Sequence, residues 1–273
     1  MAVLAGRGEL PVEAVREARR RGEEPVAVAL VEGTEPALAG EAAAFHRLSV
    51  GELGRLLTTL QAAGVGRAVL AGKVTKERLF QGFRPDARMA AVLARVADRN
   101  DDTLLLALVE ELVAAGVMIL RQDEYLGHLL APAGLLSRRA PDEREWADLR
   151  YGFARAKEVA GLDLGQTVVV KHRAVLAVEA IEGTDACLRR GGELGRGGAV
   201  AVKVAKPQQD PRFDVPTVGP DTLAVMAEAG LSCLGLEAGA AFLVNREECR
   251  RLADEAGLAV VGLTAAGSAV VGP

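Results

Sequence analysis

The sequence predicts two α/β domains: an N-terminal Rossmann-like domain on a mostly parallel sheet, and a C-terminal α/β domain with a mixed sheet. Three observations carry this. Short Ala/Val/Leu runs alternate with helical periods through the first part of the chain, a pattern that implies parallel strands with helices on both faces. A stretch rich in Pro, Gly and Arg, HLLAPAGLLSRRAPDEREW (128–146), then interrupts the alternation. Beyond it, the apolar runs Thr167–Lys171 and Ala174–Ile181 stand two residues apart, which is the spacing of an antiparallel hairpin. The expected division is 1–130, a linker at 131–145, and 146–273.

Each element has its own warrant. Ala2–Gly6, Pro25–Leu30, Arg67–Gly72 and Val117–Leu120 read as fully buried strands. Pro11–Arg21, Val50–Ala63, Pro85–Ala97 and Thr103–Ala115 carry apolar residues at helical spacing. Pro11 suits a first helical turn, and Gly22, Gly64 and Gly116 suit C-caps. In the second half, Pro141-Asp142-Glu143 opens a helix over 142–159. Further strands are expected at Ala199–Ala205, Leu234–Glu237, Ala241–Val244 and Ala259–Leu263, with a helix at Asp221–Ala229. The segment GGELGRGG (191–198) reads as a glycine-rich link, and Lys171-His172-Arg173 is an unusual hairpin turn because it lacks glycine.

Composition narrows the function classes. Half of the residues are apolar but only 3% are aromatic, and the formal net charge is −4. A weakly acidic chain has no general electrostatic reason to bind nucleic acid. Cys187, Cys233 and Cys249 are odd in number and lack CxxC spacing, so neither a disulfide framework nor a zinc site is expected. The start, MAVLAGRGELP, does not read as a signal peptide, and no apolar run is long enough for a membrane span. A soluble, cytoplasmic protein is expected. There are six lysines against 33 − 6 = 27 arginines, so each lysine carries information.

Chemistry concentrates in a few loops. AGRGELP (5–11) joins the first strand to the first helix, and Gly6, Arg7 and Gly8 there could present backbone N–H groups to a phosphate. AGKVTK (71–76), with Gly72 and Lys73, is a second such turn on the same carboxyl edge, where open α/β sheets bind ligands. NDD (100–102) reads as a helix cap. In VEAIEGTDA (178–186), Glu179, Glu182, Gly183, Thr184 and Asp185 crowd a strand end before a helix. Phosphate binding at that helix start is expected, with Glu182 among the candidate ligands of a divalent cation.

The strongest segment is KVAKPQQDPRFDVPTVG (203–219). Pro207, Pro211 and Pro216 forbid a regular helix, so Asp210 and Asp214 sit on a shaped loop. Lys206 and Arg212 beside two carboxylates suit a metal–phosphate site: the cations meet the anion, and the carboxylates hold metal or activate water. Gln209 and Thr217 complete the candidate binding set, and Asp214, Asp210 and Lys206 the catalytic one. Glu237 interrupts an apolar run and needs a partner, because a lone buried carboxylate is costly. His46, His128 and His172 suggest no catalytic set.

LAGRGELP, GQTVVV…VLAVEAIEGTDA, KPQQDPRFDVPTVGPDT and GLEAG, in this order, resemble the LpxI family, the UDP-2,3-diacylglucosamine pyrophosphatases of lipid A assembly. The resemblance implies metal-dependent hydrolysis, with Mg²⁺ or Mn²⁺, to UMP and 2,3-diacylglucosamine 1-phosphate (lipid X). It implies water attack on the sugar-side phosphorus, in a cleft between two α/β domains. The RxDxPT part of the family motif matches Arg212-Phe213-Asp214-Val215-Pro216-Thr217, which carries the key aspartate onto Asp214. Expected partners are a lipid-bearing UDP-sugar, the inner membrane surface through that substrate, and a second copy in a homodimer. Two alternatives stand beside it: a pyrophosphatase for another nucleotide-sugar or nucleotide-lipid, and a non-catalytic nucleotide-sugar binding protein.

Overall fold

The computed structural model describes residues 1–31, 33, 35–73, 84–96 and 101–264. Lys76 and Asn100, read above as parts of a phosphate turn and a cap, lie outside the described residues, as do the side chains of Asp101 and Asp102. The chain forms two compact units. The first comprises the described residues of Met1–Gly127 together with Pro211–Phe213; the second comprises His128–Asp210 and the described residues from Asp214 on.

In the first unit the order is β1 (Ala2–Ala5), α1 (Leu10–Arg20), β2 (Val26–Ala29), α2 (Glu35–Glu41), β3 (Ala44–Arg47), α3 (Leu53–Ala62), β4 (Arg67–Ala71), α4 (Ala87–Arg95), α5 (Asp101–Ala114), β5 (Met118–Ile119) and α6 (Gln122–Tyr125). The sheet runs β3-β2-β1-β4-β5 and every pair is parallel. This is the Rossmann order, and it places the topological switch between β1 and β4. All four residues of β1 and of β2 are buried, as expected of strands covered on both faces. On α3, Leu53, Leu56, Leu57 and Leu60 recur at helical spacing and are buried in a core with Leu4, Val28 and Leu70.

In the second unit the order is β6 (Gly134–Leu135), α7 (Glu143–Gly161), β7 (Thr167–Lys171), β8 (Ala174–Val178), α8 (Thr184–Gly195), β9 (Ala199–Lys203), β10 (Thr217–Val218), α9 (Pro220–Glu228), β11 (Leu231–Glu237), β12 (Phe242–Leu243), α10 (Arg246–Ala256) and β13 (Ala259–Leu263). The main sheet runs β6-β13-β11-β9-β7-β8. Its centre, β13-β11-β9, is parallel, while β6 pairs antiparallel with β13 and β7 antiparallel with β9, so the sheet is mixed. β10 and β12 form a separate two-stranded piece.

The period of two in β9 sorts its residues between two cores. Val200 and Val202 pack with Leu149, Phe153 and Ala156 of α7. Ala199 and Ala201 pack on the other side with Leu188 of α8 and Leu223 of α9. α7 begins with a capping box in which Asp142 and Glu145 exchange hydrogen bonds with each other's backbone, and Arg139 grips the buried Glu145 with two of its nitrogens.

Segment 131–145, read as a linker, is built into the second unit. Its strand β6 pairs with β13, Ala131 is in the core, and buried Ser137 accepts the Val260 N–H at 2.8 Å. The segment 191–198, read as a glycine-rich link, is mostly the end of α8. Glycine is needed there for close approach: a Cβ on Gly191 would come within 2.6 Å of Val169, and one on Gly192 within 2.2 Å of the Ala229 carbonyl oxygen. α2 and β3 were not expected. Among the described residues, no helix is long and apolar enough to cross a membrane.

Candidate functional site

The two glycine turns of the first unit lie side by side, because β1 and β4 are neighbours at the switch point. Their backbones bond to each other. The Gly6 N–H donates to the Ala71 carbonyl at 2.8 Å, and Arg7 and Lys73 exchange N–H···O bonds of 2.9 Å. A Cβ on Gly6 would stand 2.7 Å from the Gly72 carbonyl group, and one on Gly72 2.6 Å from the Arg7 oxygen. Three of the N–H groups expected to face a phosphate, those of Gly6, Arg7 and Lys73, are therefore committed to the bridge. This corrects the expectation of an N–H cradle at those three positions. Exposed Arg7, Gly8 and Lys73 still stand at the carboxyl edge.

The second unit gathers its polar side chains at the carboxyl ends of β8, β9 and β11. Lys203 ends β9 on the Ala199/Ala201 face and is buried. Its register partner on β7 is Thr167. Lys203 Nζ donates to the Thr184 hydroxyl at 2.7 Å, and that hydroxyl donates to Glu179 Oε1 at 2.8 Å. Glu179 Oε2 is buried without a hydrogen bond of ordinary geometry and lies 3.7 Å from Lys203 Nζ. Burial opposes the Glu179 charge, but Lys203 and the hydroxyls around it outweigh burial, and the carboxyl sits below its ordinary pKa. The Thr184 hydroxyl expected to meet a phosphate is thus held inside the protein. Gly183 is the N-cap of α8 with φ +82°, and Asp185 is exposed in its first turn.

One step further along the chain, the Ala205 N–H donates to Glu237 Oε2 at 2.8 Å. Lys157 Nζ is 3.0 Å from both Glu237 oxygens. Glu237 was expected to have a cationic partner, and Lys157 is that partner. Three of the six lysines, 157, 203 and 206, converge on the end of β9.

The loop after β9 then turns back on itself. Gln209 braces it: its Oε1 accepts the Lys206 N–H at 3.2 Å and its Nε2 donates to the Asp214 carbonyl at 2.8 Å. Gln209, expected to bind substrate, has both ends of its amide on the loop. Asp214 adopts φ +60°, the left-handed region that costs ordinary residues ~1–2 kcal/mol and that Asp tolerates better than most. Its side chain is 48% exposed. Lys206 Nζ lies 3.5 Å from Asp214 Oδ2 and 2.7 Å from Asp163 Oδ1. Gln166, buried just before β7, donates its Nε2 to the same Asp214 Oδ2 at 3.2 Å. Asp210 and Arg212 are half-buried in the same loop, and the Thr217 hydroxyl donates to the Val215 carbonyl at 3.0 Å. Gln166, Asp163 and Lys203 had no assigned role from sequence. Gln166 lies within the family-like GQTVVV run, and Lys203 opens the loop segment; Asp163 had no signal.

Among the described residues no three His, Cys, Asp or Glu side chains are arranged to hold a metal ion. The expected set of Asp214, Asp210 and Glu182 is not assembled, because Glu182, in the turn before α8, is taken by Arg190 of that helix and by the Ala180 N–H. Asp214 and Asp210 alone still fit Mg²⁺ chemistry, which uses one or two carboxylates with substrate phosphate and water.

The molecule is thus a two-unit α/β protein whose polar side chains collect at the carboxyl edges of its sheets, where such folds take anionic ligands. The LpxI N-terminal domain family matches residues 1–129 and the LpxI C-terminal domain family residues 132–261. The chain is 35% identical over 96% of its length, and 97% of the relative's, to a protein of Caulobacter vibrioides named UDP-2,3-diacylglucosamine pyrophosphatase LpxI. This chain belongs to the LpxI family. Of solved structures, the biotin carboxylase domain of a thermophilic 2-oxoglutarate carboxylase bound to ADP matches at 11% identity and a TM-score of 0.27, over 62% of this chain and 34% of that one. The biotin carboxylase subunit of a pyruvate carboxylase matches at 13% and 0.26, over 66% and 38%. Likeness at that level carries no argument.

Proposed function

We propose that this chain hydrolyses the pyrophosphate bond of UDP-2,3-diacylglucosamine to UMP and 2,3-diacylglucosamine 1-phosphate. The observation that carries the reading is Asp214, exposed and left-handed beside Lys206, in a chain that aligns almost end to end with a protein of that activity. A pyrophosphate repels a nucleophile with its own negative charge. Lys206 and Arg212 offset that charge from the same loop. Asp214 orients a water and takes its proton as the water oxygen bonds to the sugar-side phosphorus. The bridging P–O bond breaks, and UMP departs with the electron pair. Asp214 and Asp210 are the residues that would hold Mg²⁺ or Mn²⁺, which supplies Lewis-acid charge stabilisation to phosphate oxygens. The acyl chains of this substrate would bring the reaction to a membrane surface.

The test is UMP release from UDP-2,3-diacylglucosamine with Mg²⁺ or Mn²⁺ and with EDTA, with UDP-N-acetylglucosamine as control. Wild type should act on the diacylated compound only. Asp214→Ala should lower kcat ~10²–10⁴-fold, the range of general-base help, while still being stabilised thermally by substrate. In ¹⁸O water the label should enter the sugar phosphate and not UMP. An inert wild type that is nonetheless stabilised by the compound would replace this reading with that of a binding protein.

A further inference from the structure

We infer that Gln166 is a positioning residue for Asp214; the inference rests on Asp214 being the group that takes the water's proton. Gln166 is 8% exposed and is fixed through its backbone, whose carbonyl accepts the Val204 N–H at 3.0 Å. Its side-chain nitrogen donates to Asp214 Oδ2 at 3.2 Å. The amide must present nitrogen there, since its oxygen against a carboxylate would be repelled. Lys206 Nζ approaches the same Oδ2 at 3.5 Å, so one oxygen of Asp214 meets a neutral donor and a cation together. The backbone of Asp214 is held separately, by Gln209 on its carbonyl.

The division of labour matters. Backbone bracing sets where Asp214 begins; Gln166 sets how its carboxylate is turned. A half-exposed Asp side chain has two soft torsions, and Lys206, on a flexible stem and shared with Asp163, is a poor fixed point. A buried amide on the edge of a strand is a good one, and it keeps its donor at every pH at which the protein folds. The orientation it fixes decides whether a water on the carboxylate points at phosphorus, and misplacement of about 1 Å can cost ~10²-fold in rate.

Two variants test this. Gln166→Met keeps the volume and removes the donor. It should lower kcat ~10²-fold with KM and thermal midpoint near wild type. Gln166→Glu keeps the size but sets an anion against the Asp214 carboxylate and turns it away. Near neutrality it should lower kcat at least as far as Gln166→Met does, again with KM near wild type. A folded Gln166→Met or Gln166→Glu enzyme with wild-type kcat overturns the inference. So does a fall in kcat that only follows a fall in thermal midpoint. Should wild type release no UMP, the proposed function fails by itself. Gln166 is then read from its side-chain amide ¹H–¹⁵N resonances at one pH, in wild type and in Asp214→Ala. Resonances that move in Asp214→Ala uphold the contact, and resonances that stay in place overturn it.

Discussion

Lys203 stands on a face of β9 that otherwise carries Ala199 and Ala201, and its ammonium lies between Thr184 and Glu179. Lys203→Met would keep the volume and leave Glu179 buried with no cation. Breaking a buried pair in this way costs ~3–5 kcal/mol. The pH dependence identifies the cause. In wild type the folded pKa of Glu179 is depressed, so its contribution is full above the unfolded value of about 4.3 and is lost as pH falls through the folded one. In the variant the folded pKa rises above the unfolded one, so the penalty is full near neutrality and fades as pH falls and the carboxyl takes a proton. Urea denaturation at about pH 7 and about pH 4.5 should therefore show a smaller gap between the two proteins in acid. A gap that does not change with pH assigns the loss to packing. Part of this cluster was legible: Glu237 announced a partner because a charge inside an apolar run must have one. Gln166 was not, because a glutamine before a valine run looks like any polar residue leading into a strand. Only the register of β7 against β9 brings it to Asp214.

At the scale of elements, the buried strands were readable because Ala/Val/Leu runs covered on both faces have few alternatives. α2 and β3 were not: AFHR is a short edge strand, half-exposed, with no alternation to mark it. The β7–β8 hairpin was legible by spacing, although its turn lacks glycine. The structure supplies the reason. His172 and Arg173 take φ values of +53° and +56°, and their N–H groups donate to the two carboxylate oxygens of Asp148, at 3.0 and 2.6 Å. Asp148 is buried on α7, so a helix holds in place a turn whose own residues disfavour it. Asp148→Ala should cost ~1–3 kcal/mol, the price of removing a charged acceptor from a buried position. Adding Arg173→Gly should recover part of it, since glycine reaches positive φ without the ~1–2 kcal/mol side-chain penalty. A double variant no more stable than Asp148→Ala alone would mean that the turn is not where the loss is felt.

On the scale of the whole molecule, the chain carries separate hydrophobic cores in its two units. Leu60 is buried in the first, and Leu234 in the second. Two independent cores are the condition under which a single two-state transition stops describing unfolding. The calorimetric enthalpy should then exceed the van't Hoff enthalpy. Leu60→Ala and Leu234→Ala, each costing ~2–5 kcal/mol, should lower different parts of the heat-capacity trace. The family matches divide at the same place, residues 1–129 and 132–261. The loop proposed to act is divided between the two units. Phe213 is buried in the first unit's core, while Asp214, the next residue, belongs to the second. Unfolding of the first unit removes the packing that holds Phe213, and unfolding of the second removes Gln166 and Gln209 from Asp214. UMP release measured during slow heating should therefore disappear with the lower of the two transitions, whichever variant sets it. Activity that persisted through the Leu60→Ala transition would show that the loop keeps Asp214 in place without Phe213. A single transition shifted alike by both variants would show that the two cores unfold as one.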